Sequence, residues 1–258
     1  MSERALFVTW FAPQKRAILP VARLVQRPEG DQETFEFRYI RGALEAITHG
    51  FRPFLAFPDL RHVYRSRALF PFFTNRVMPT TRPDYVSYVQ SLGLEPGDAD
   101  AVEILGRSGG KRETDRIEVV AAPAPDESGA WITHFLVRGI RYMPGAEERI
   151  GRLTAGERLF WMLDVQNPMN PGALALRTSD NQLIGYLPDY LVSDAVRLIE
   201  ERSPVNVLVE RVNPAPTPLH YRLLCKLEAV WSSAFAPFQG EQLQPLDPQA
   251  VAAPAELT

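Results

Sequence analysis

Residues Asp164–Leu176 read DVQNPMNPGALAL, and Ile184–Pro188 read IGYLP. Asn167-Pro168 and Asn170-Pro171-Gly172 are typical of turns, because Asn and Gly tolerate left-handed backbone and Pro fixes φ. The run ALALR at Ala173–Arg177 then has the character of a short strand. These stretches therefore predict a turn-rich loop that leads into closely spaced strands.

More strands are predicted on both sides of this loop. The strand-like runs are Trp131–Ile140, Glu157–Val165, Ala173–Arg177, Leu183–Tyr186, Val205–Arg211 and Leu219–Lys226. One helix is predicted from Asp189 to Glu201, with its apolar residues spaced along one face. Five or six short strands and one helix in about 100 residues are typical of a small, partly open barrel.

Four motifs in this region resemble the HIRAN domain, a module of some DNA-repair helicase-like remodelers that also occurs alone in bacteria. In order along the chain they are Val137–Tyr142, Leu153–Leu159, Asp164–Leu176 and Ile184–Pro188. The resemblance implies an OB-like barrel that binds single-stranded DNA at a free 3′ end.

The candidate nucleic-acid contacts are Arg138, Arg141, Tyr142, Asn167 and Tyr186. The resemblance implies that Arg141 and Tyr142 clamp and stack a terminal nucleotide, and that Asn167 is a polar contact. Arginines hold phosphates and tyrosine rings stack bases. The alternatives are that both tyrosines are core rings, that the arginines form a solvated face, and that Asn167 caps its own loop.

Three positions depart from the family pattern. Met169 and Asn170 replace the family's Tyr and Asp, so a stacking ring and an acceptor for a 3′-hydroxyl are missing. Asp189 stands where a basic residue is usual and would repel a phosphate. These departures favour an alternative function, a protein–protein adaptor or regulator in a toxin–antitoxin or phage-defence system without DNA binding.

The first part of the chain predicts a mixed α+β domain. Its predicted strands are Leu6–Trp10, Leu19–Leu24 and Thr34–Tyr39. One helix is predicted after Thr81, with Pro83 in its first turn and Gly93 at its end, and a second short one around Asp98–Leu105. The stretches Phe35–Tyr39, Phe54–Asp59 and Leu69–Pro79 resemble the N-terminal domain of HipA-type toxin kinases. Without the kinase lobe, the resemblance implies a module that docks a partner protein.

The predicted fold class is α+β, with a mixed α+β domain followed by a small OB-like, HIRAN-like barrel that has one main helix. The predicted domain ranges are 1–121 and 131–232. A Pro- and Ala-rich linker is predicted at 122–130, and a disordered Pro-, Gln- and Ala-rich tail at 233–258.

The densest basic stretch is RHVYRSR, which places Arg61, Arg65 and Arg67 around His62 and Tyr64. Basic residues interleaved with aromatic ones suit an RNA or DNA backbone. The acidic face of a protein partner would suit them equally.

Several functions are not expected. A net charge of −3 excludes a uniformly cationic nucleic-acid binder, and one cysteine, Cys225, excludes a disulfide within the chain. RSGGKR at 107–112 lacks the spacing of a phosphate-binding loop. Asp164 and Glu157 share a predicted strand, but a carboxylate pair alone does not indicate catalysis. We expect no enzyme activity, no metal and no cofactor; a hydrolase or kinase remnant is the third alternative.

No apolar stretch reaches the length of a membrane span, and the first residues do not form a convincing signal peptide. The sequence therefore predicts a cytoplasmic protein without a membrane partner, and the family resemblances imply a bacterial one. Its expected partners are single-stranded DNA, RNA as a second possibility, and a protein bound by the N-terminal domain.

Overall fold

The computed structural model describes residues 3–125, 130–230, 237–238 and 240–246. These residues form a mixed α+β structure with two sheets, a five-stranded and a seven-stranded one, in agreement with the predicted class. Among the residues that the structure describes, no helix combines the length and apolar character that crossing a membrane requires.

The chain divides into two compact units. The first comprises Met1–Arg76, Gly109–Ala122 and Phe238–Thr258, and the second comprises Val77–Ser108 and Pro123–Pro237. Residues 77–108 thus belong to the second unit, although the first predicted domain, 1–121, includes them. The domain ranges 1–121 and 131–232 stay a prediction.

The first unit is built on an antiparallel sheet with the strand order β4-β3-β2-β1-β5. Its strands are β1 (Arg4–Ala12), β2 (Ala17–Glu29), β3 (Gln32–Tyr39), β4 (Tyr64–Ser66) and β5 (Ile117–Ala121), and its helices are α1 (Gly42–Thr48) and α2 (Pro71–Thr74). Strands β1 to β3 contain the three predicted strands. The sequence analysis did not predict β4, β5 or the two short helices.

Aromatic side chains fill the core on one face of this sheet. Phe37 stacks on Phe57 with their ring centroids 3.8 Å apart. The hydroxyl of Tyr39 donates to the carbonyl oxygen of Phe57 and accepts from the N–H of Phe54, each at 2.7 Å. Because side chains alternate along a strand, the neighbouring residue Glu36 faces the other side, together with Arg38. At β3, one face of the sheet is therefore aromatic and the other carries charged side chains.

The second unit contains a seven-stranded sheet with the order β10-β9-β8-β11-β12-β7-β6. Its strands are β6 (Ala124–Pro125), β7 (Ala130–Leu136), β8 (Arg158–Leu163), β9 (Leu174–Arg177), β10 (Leu183–Tyr186), β11 (Val205–Val212) and β12 (Leu223–Val230). Its helices are α3 (Tyr85–Ser91), α4 (Ala101–Ser108), α5 (Ala146–Ile150) and α6 (Asp189–Glu200). The predicted strand Trp131–Ile140 is shorter in the structure because Gly139, at φ +69°, turns the chain.

The apolar face of α3 explains why residues 77–108 belong to the second unit. Tyr85, Val89 and Leu92 are buried in one cluster with Leu136 of β7 and Leu224 of β12. A helical repeat of apolar residues predicts that a helix packs against something, but it does not specify the partner. The helix was therefore predictable from the sequence, and its place in the fold was not.

A backbone bridge curls the second sheet back on itself. The N–H of Arg138 donates to the carbonyl oxygen of Tyr186 at 3.0 Å, and the N–H of Tyr186 donates back at 2.8 Å. This bridge joins the segment after β7 to β10, so the two strands that lie far apart in the sheet order are linked. Gly185 permits the approach, since a Cβ there would lie 2.6 Å from the carbonyl oxygen of Arg138.

The predicted linker and tail are only partly described. Strand β6 lies within the predicted linker, and residues 126–129 lie outside the described residues. In the predicted tail, Phe238 lies 5.1 Å from Phe7 between ring centroids, Leu246 is buried, and Pro245 pairs with Ile40. These residues are packed rather than disordered, because apolar side chains within the polar segment find a buried site. Residues 233–236, 239 and 247–258 lie outside the described residues.

Candidate nucleic-acid interface

Tyr142 and Arg141 form an exposed aromatic platform. They lie in a one-turn 3₁₀ helix, Ile140–Tyr142, that begins after Gly139, where the backbone is left-handed. The Tyr142 residue is 69% exposed, which excludes the alternative that it is a core ring. The guanidinium carbon of Arg141 lies 4.6 Å from the Tyr142 ring centroid, and the guanidinium also donates to its hydroxyl. The two side chains therefore present an aromatic ring and a positive charge together to solvent.

Arg138 has a different environment, although it is only three residues away. Its backbone forms the bridge to Tyr186, and the residue is half-buried. Burial lowers the pKa of the Arg138 guanidinium, while interactions with Tyr190, Tyr221 and Asp189 oppose this shift. Arg138 is therefore held among barrel side chains and does not belong to a fully solvated face.

Tyr186 is fixed through both its ring and its hydroxyl. A Cβ on Gly139 would lie 2.8 Å from a ring carbon of Tyr186, so the ring packs directly against that glycine. The hydroxyl donates to Oδ2 of Asp164 at 2.9 Å. Burial raises the pKa of Tyr186, and the Asp164 carboxylate raises it further. Tyr186 remains half-buried, so its ring is neither inside the core nor fully exposed for a base to stack on.

Asn167 caps its own loop, which is one of the alternatives left open by the sequence. Its Oδ1 accepts from the backbone N–H groups of Met169 and Asn170 at 2.9 and 3.1 Å. Its Nδ2 donates to Oδ2 of Asp164 at 3.2 Å. Asn170 in turn donates to Oδ1 of Asp189 at 3.2 Å. The loop is thus held by its own polar side chains.

Asp164 is a positioning residue that the sequence analysis did not identify. One of its oxygens accepts from both Tyr186 and Asn167, so it joins the loop to β10. Glu157, its possible acid–base partner in the sequence, instead lies at hydrogen-bond distance (3.2 Å) from the N–H of Thr154. The spacing of Asp164 and Asn167 in a turn was a local signal, but contact with Tyr186, 22 residues away in sequence, depends on the fold.

The second basic stretch lies in the other unit, so the structure does not place it within the same site. Arg65 of β4 binds Oε2 of Glu36 through its Nε at 3.1 Å. Glu36 is buried and also pairs with Arg38 and Arg27. Burial acts to raise the pKa of Glu36, but the three arginines outweigh it and hold that pKa below its usual range.

Arg61 and Arg67 of the same stretch are exposed. Arg67 lies on a groove of about 620 Å³ that Arg65 and Arg27 also line. Across the described parts of both units, no group of three His, Cys, Asp or Glu side chains could hold a metal ion.

No family model and no curated protein matches this chain. Among solved structures, a protein from Lactobacillus plantarum is similar over 39% of this chain and 97% of its own, with 16% identity and a TM-score of 0.31. The crystal structure of the HIRAN domain of human HLTF is similar over 39% of this chain and 74% of its own, with 17% identity and a TM-score of 0.30.

The NMR structure of the HLTF HIRAN domain in its DNA-bound conformation covers 40% of this chain and 73% of its own, with 17% identity and a TM-score of 0.26. HIRAN domains are thus among the solved structures to which this chain is similar. Nothing among these matches supports the resemblance of the first segment to HipA-type kinases, which stays a prediction.

Proposed function

We propose that this chain is a non-catalytic protein that holds single-stranded DNA on its second unit. The exposed pair Arg141 and Tyr142 carries the proposal, since Tyr142 is 69% exposed with a guanidinium over its ring. A base that stacks on an aromatic side chain gains about 1–3 kcal/mol. An arginine beside that ring adds a phosphate contact that weakens with salt.

The surroundings of the pair support this function because they hold it rigidly. Gly139 starts the turn that carries Tyr142, and the backbone bridge between Arg138 and Tyr186 anchors that turn to β10. Binding to a surface that is already ordered costs less conformational entropy than binding to a mobile one. The resemblance of the sequence to HIRAN domains points to the same function.

The proposal is general single-strand binding rather than recognition of a 3′ end. Met169 provides no stacking ring, and the Asn170 amide is held by Asp189. The Asp189 carboxylate would repel a terminal phosphate, so the strand is expected to be bound along its length. In the first unit we propose a docking role for a protein partner, on the strength of the sequence resemblance.

Fluorescence anisotropy with labelled single-stranded DNA and RNA, at about 50 and about 200 mM salt, tests the proposal. We expect salt-sensitive binding that is indifferent to a 3′-phosphate. Arg141→Ala combined with Tyr142→Ala should weaken it at least about tenfold, since a stacking contact and a phosphate contact are lost. Arg152→Ala is the matched control, because Arg152 is exposed in the same unit and already paired with Glu148. Unchanged affinity in a well-folded double variant would contradict the site.

A second candidate function, a protein–protein adaptor, is favoured by exposed apolar side chains near the Asn167 loop. They are Met162, Leu163, Val165 and Met169. Exposed apolar residues that lie close together are typical of protein interaction surfaces. A pull-down that recovers one stoichiometric protein, together with no oligonucleotide binding at about 50 mM salt, would favour the adaptor over the nucleic-acid function.

A further inference from the structure

Two arginines flank one phenyl ring on the outer face of the second sheet. The guanidinium carbons of Arg158 and Arg177 lie 5.2 and 4.9 Å from the ring centroid of Phe160. Phe160 and Arg177 are direct cross-strand partners in β8 and β9, so their side chains share a face. Arg158 lies two residues before Phe160 in β8 and therefore also projects from that face.

The charges of these arginines are not neutralised within the part of the chain that the structure describes. Neither Arg158 nor Arg177 has a carboxylate partner there, and Arg177 donates to the carbonyl oxygen of Thr178 at 3.1 Å. Both guanidinium carbons lie near the same centroid, so they are at most 10.1 Å apart. Two like charges at this separation repel each other, and an anion bound near them would relieve the repulsion.

The strand register places this cluster on the same face as Tyr186. Met162 pairs with Ala175 across β8 and β9, and Ala175 pairs with Tyr186 across β9 and β10. Phe160 is two residues from Met162, which is about 7 Å along the strand, and Tyr186 is two strands away, which is about 10 Å. The cluster therefore lies about 12 Å from Tyr186, and Met162, 47% exposed, lies between them.

Two acidic residues of this region lie toward one end of the surface. Asp164 follows β8 and binds Tyr186, and Asp189 binds Asn170, so both carboxylates lie at the Tyr186 end. Arg158 lies at the opposite end of β8 from Asp164. The two arginines therefore lie away from these two carboxylates, while Glu157 directly precedes Arg158 and Asp180 lies three residues after Arg177.

We infer that Arg158, Phe160 and Arg177 form a second subsite for single-stranded nucleic acid. The arginines contact phosphate and the Phe160 ring contacts a base. With the pair Arg141 and Tyr142 as the first subsite, the ligand is a run of several nucleotides rather than one terminal nucleotide. A track of about four or more nucleotides falls within the range of site sizes for OB folds. This inference rests on the proposed function, and it extends the interface beyond the five candidate contacts that the sequence analysis named.

A length series of labelled oligothymidines, from about 2 to about 12 nucleotides, tests the inference by anisotropy. The test variant is Arg158→Gln with Arg177→Gln. The control is Arg152→Gln with Arg202→Gln, which removes the same charge from two exposed positions of this unit. Phe160→Leu removes the aromatic ring but keeps an apolar side chain at the half-buried position. Circular dichroism confirms that each variant is folded.

We expect the affinity of the unmodified protein to rise with the length of the oligonucleotide until the strand reaches both subsites. The test variant should bind the longest oligonucleotides about tenfold more weakly and lower the salt slope by about 1.4, because two phosphate contacts are lost. Its affinity for the shortest oligonucleotides should be unchanged, and Phe160→Leu should also flatten the length dependence. If the test variant behaves like the control while Arg141→Ala with Tyr142→Ala abolishes binding, the second subsite is wrong and the proposed function stands. If the unmodified protein binds no oligonucleotide, both fail.

Discussion

On the five-stranded sheet three arginines surround one buried carboxylate, whereas on the second sheet two arginines flank a phenyl ring. Arg27, Arg38 and Arg65 all pair with Glu36. Arg158 and Arg177 lie on Phe160. Both groups count as positive charge in the sequence, but in the first group the positive charge is partly neutralised within the protein. What an arginine already touches, more than how many arginines a stretch contains, indicates whether it is available to a phosphate.

The position of Glu36 explains the first group. Glu36 lies opposite Arg65 across β3 and β4, and Arg38 is two residues along the same strand. All three side chains therefore project from one face. The pairing joins the three-residue edge strand β4 to the sheet, so these arginines serve the fold. An aromatic ring in place of Glu36 would have left these arginines without a neutralising carboxylate. Within the residues that the structure describes, Arg158 and Arg177 are in that situation around Phe160 on the second sheet.

The largest expected effect is on stability, from Glu36→Gln. The variant leaves three arginines around an uncharged amide, and removal of one partner from a buried ion pair costs about 3–5 kcal/mol. We expect about 3 kcal/mol, because the arginines remain partly in water. Urea unfolding followed by circular dichroism measures the loss. Glu29→Gln, at an exposed position of β2, is the matched control and should leave the free energy of unfolding nearly unchanged.

The pH dependence of this difference sharpens the test. The arginines hold the pKa of Glu36 below its usual range in the folded protein. Its contribution is complete at pH values above the pKa of the unfolded chain, declines below that pKa, and is lost once the pH falls through the lowered folded value. The difference in stability between the unmodified protein and Glu36→Gln should therefore shrink in acid. A difference that stays constant down to strongly acidic pH would show that the charge of Glu36 is not responsible.

A smaller effect is expected from Tyr186→Phe on the second sheet. The hydroxyl that donates to Asp164 is lost, which should lower the free energy of unfolding by about 1 kcal/mol at this half-buried site. The ring remains, so oligonucleotide affinity should change by less than about twofold if rings carry the binding. Tyr142→Phe is the comparison variant, because it removes the hydroxyl that accepts from Arg141 and also keeps its ring. Tyr186→Phe binding much more weakly than Tyr142→Phe would show that the Asp164 network, rather than the ring, controls the interface.

Local patterns in the sequence predicted much of the fold. The alternation in Thr34–Tyr39 and the helical spacing of Tyr85, Val89 and Leu92 are each complete within one element. The contacts that distinguish the arginines around Glu36 from those around Phe160 are not local in sequence. Arg177 meets Phe160, and Arg65 meets Glu36, only through the register between strands, which no single stretch contains.

In the candidate site, too, some features could be predicted from neighbouring residues, and others depended on contacts between residues far apart in sequence. The resemblance implied that Arg141 and Tyr142 contact one nucleotide, but the exposure of the Tyr142 ring depends on what the fold leaves uncovered. Asn167 had two open alternatives, and the positions of the backbone N–H groups of Met169 and Asn170 decided between them. Asp164 was recognisable as part of a turn, while its hydrogen bond to Tyr186 required the closure of the sheet.

The smallest effect is expected from Arg65→Ala with Arg67→Ala, which removes charge from the densest basic stretch. Arg65 is already paired with Glu36, and exposed Arg67 lines the groove with Arg27 beside Glu29 and Glu36. Oligonucleotide affinity should therefore change by less than about twofold, far less than for the same number of substitutions at Arg158 and Arg177. Anisotropy with the same long oligonucleotide compares the two double variants directly. If the Arg65 and Arg67 variant loses more affinity, a partnered arginine still serves as a phosphate contact, and the contrast between the two surfaces is wrong.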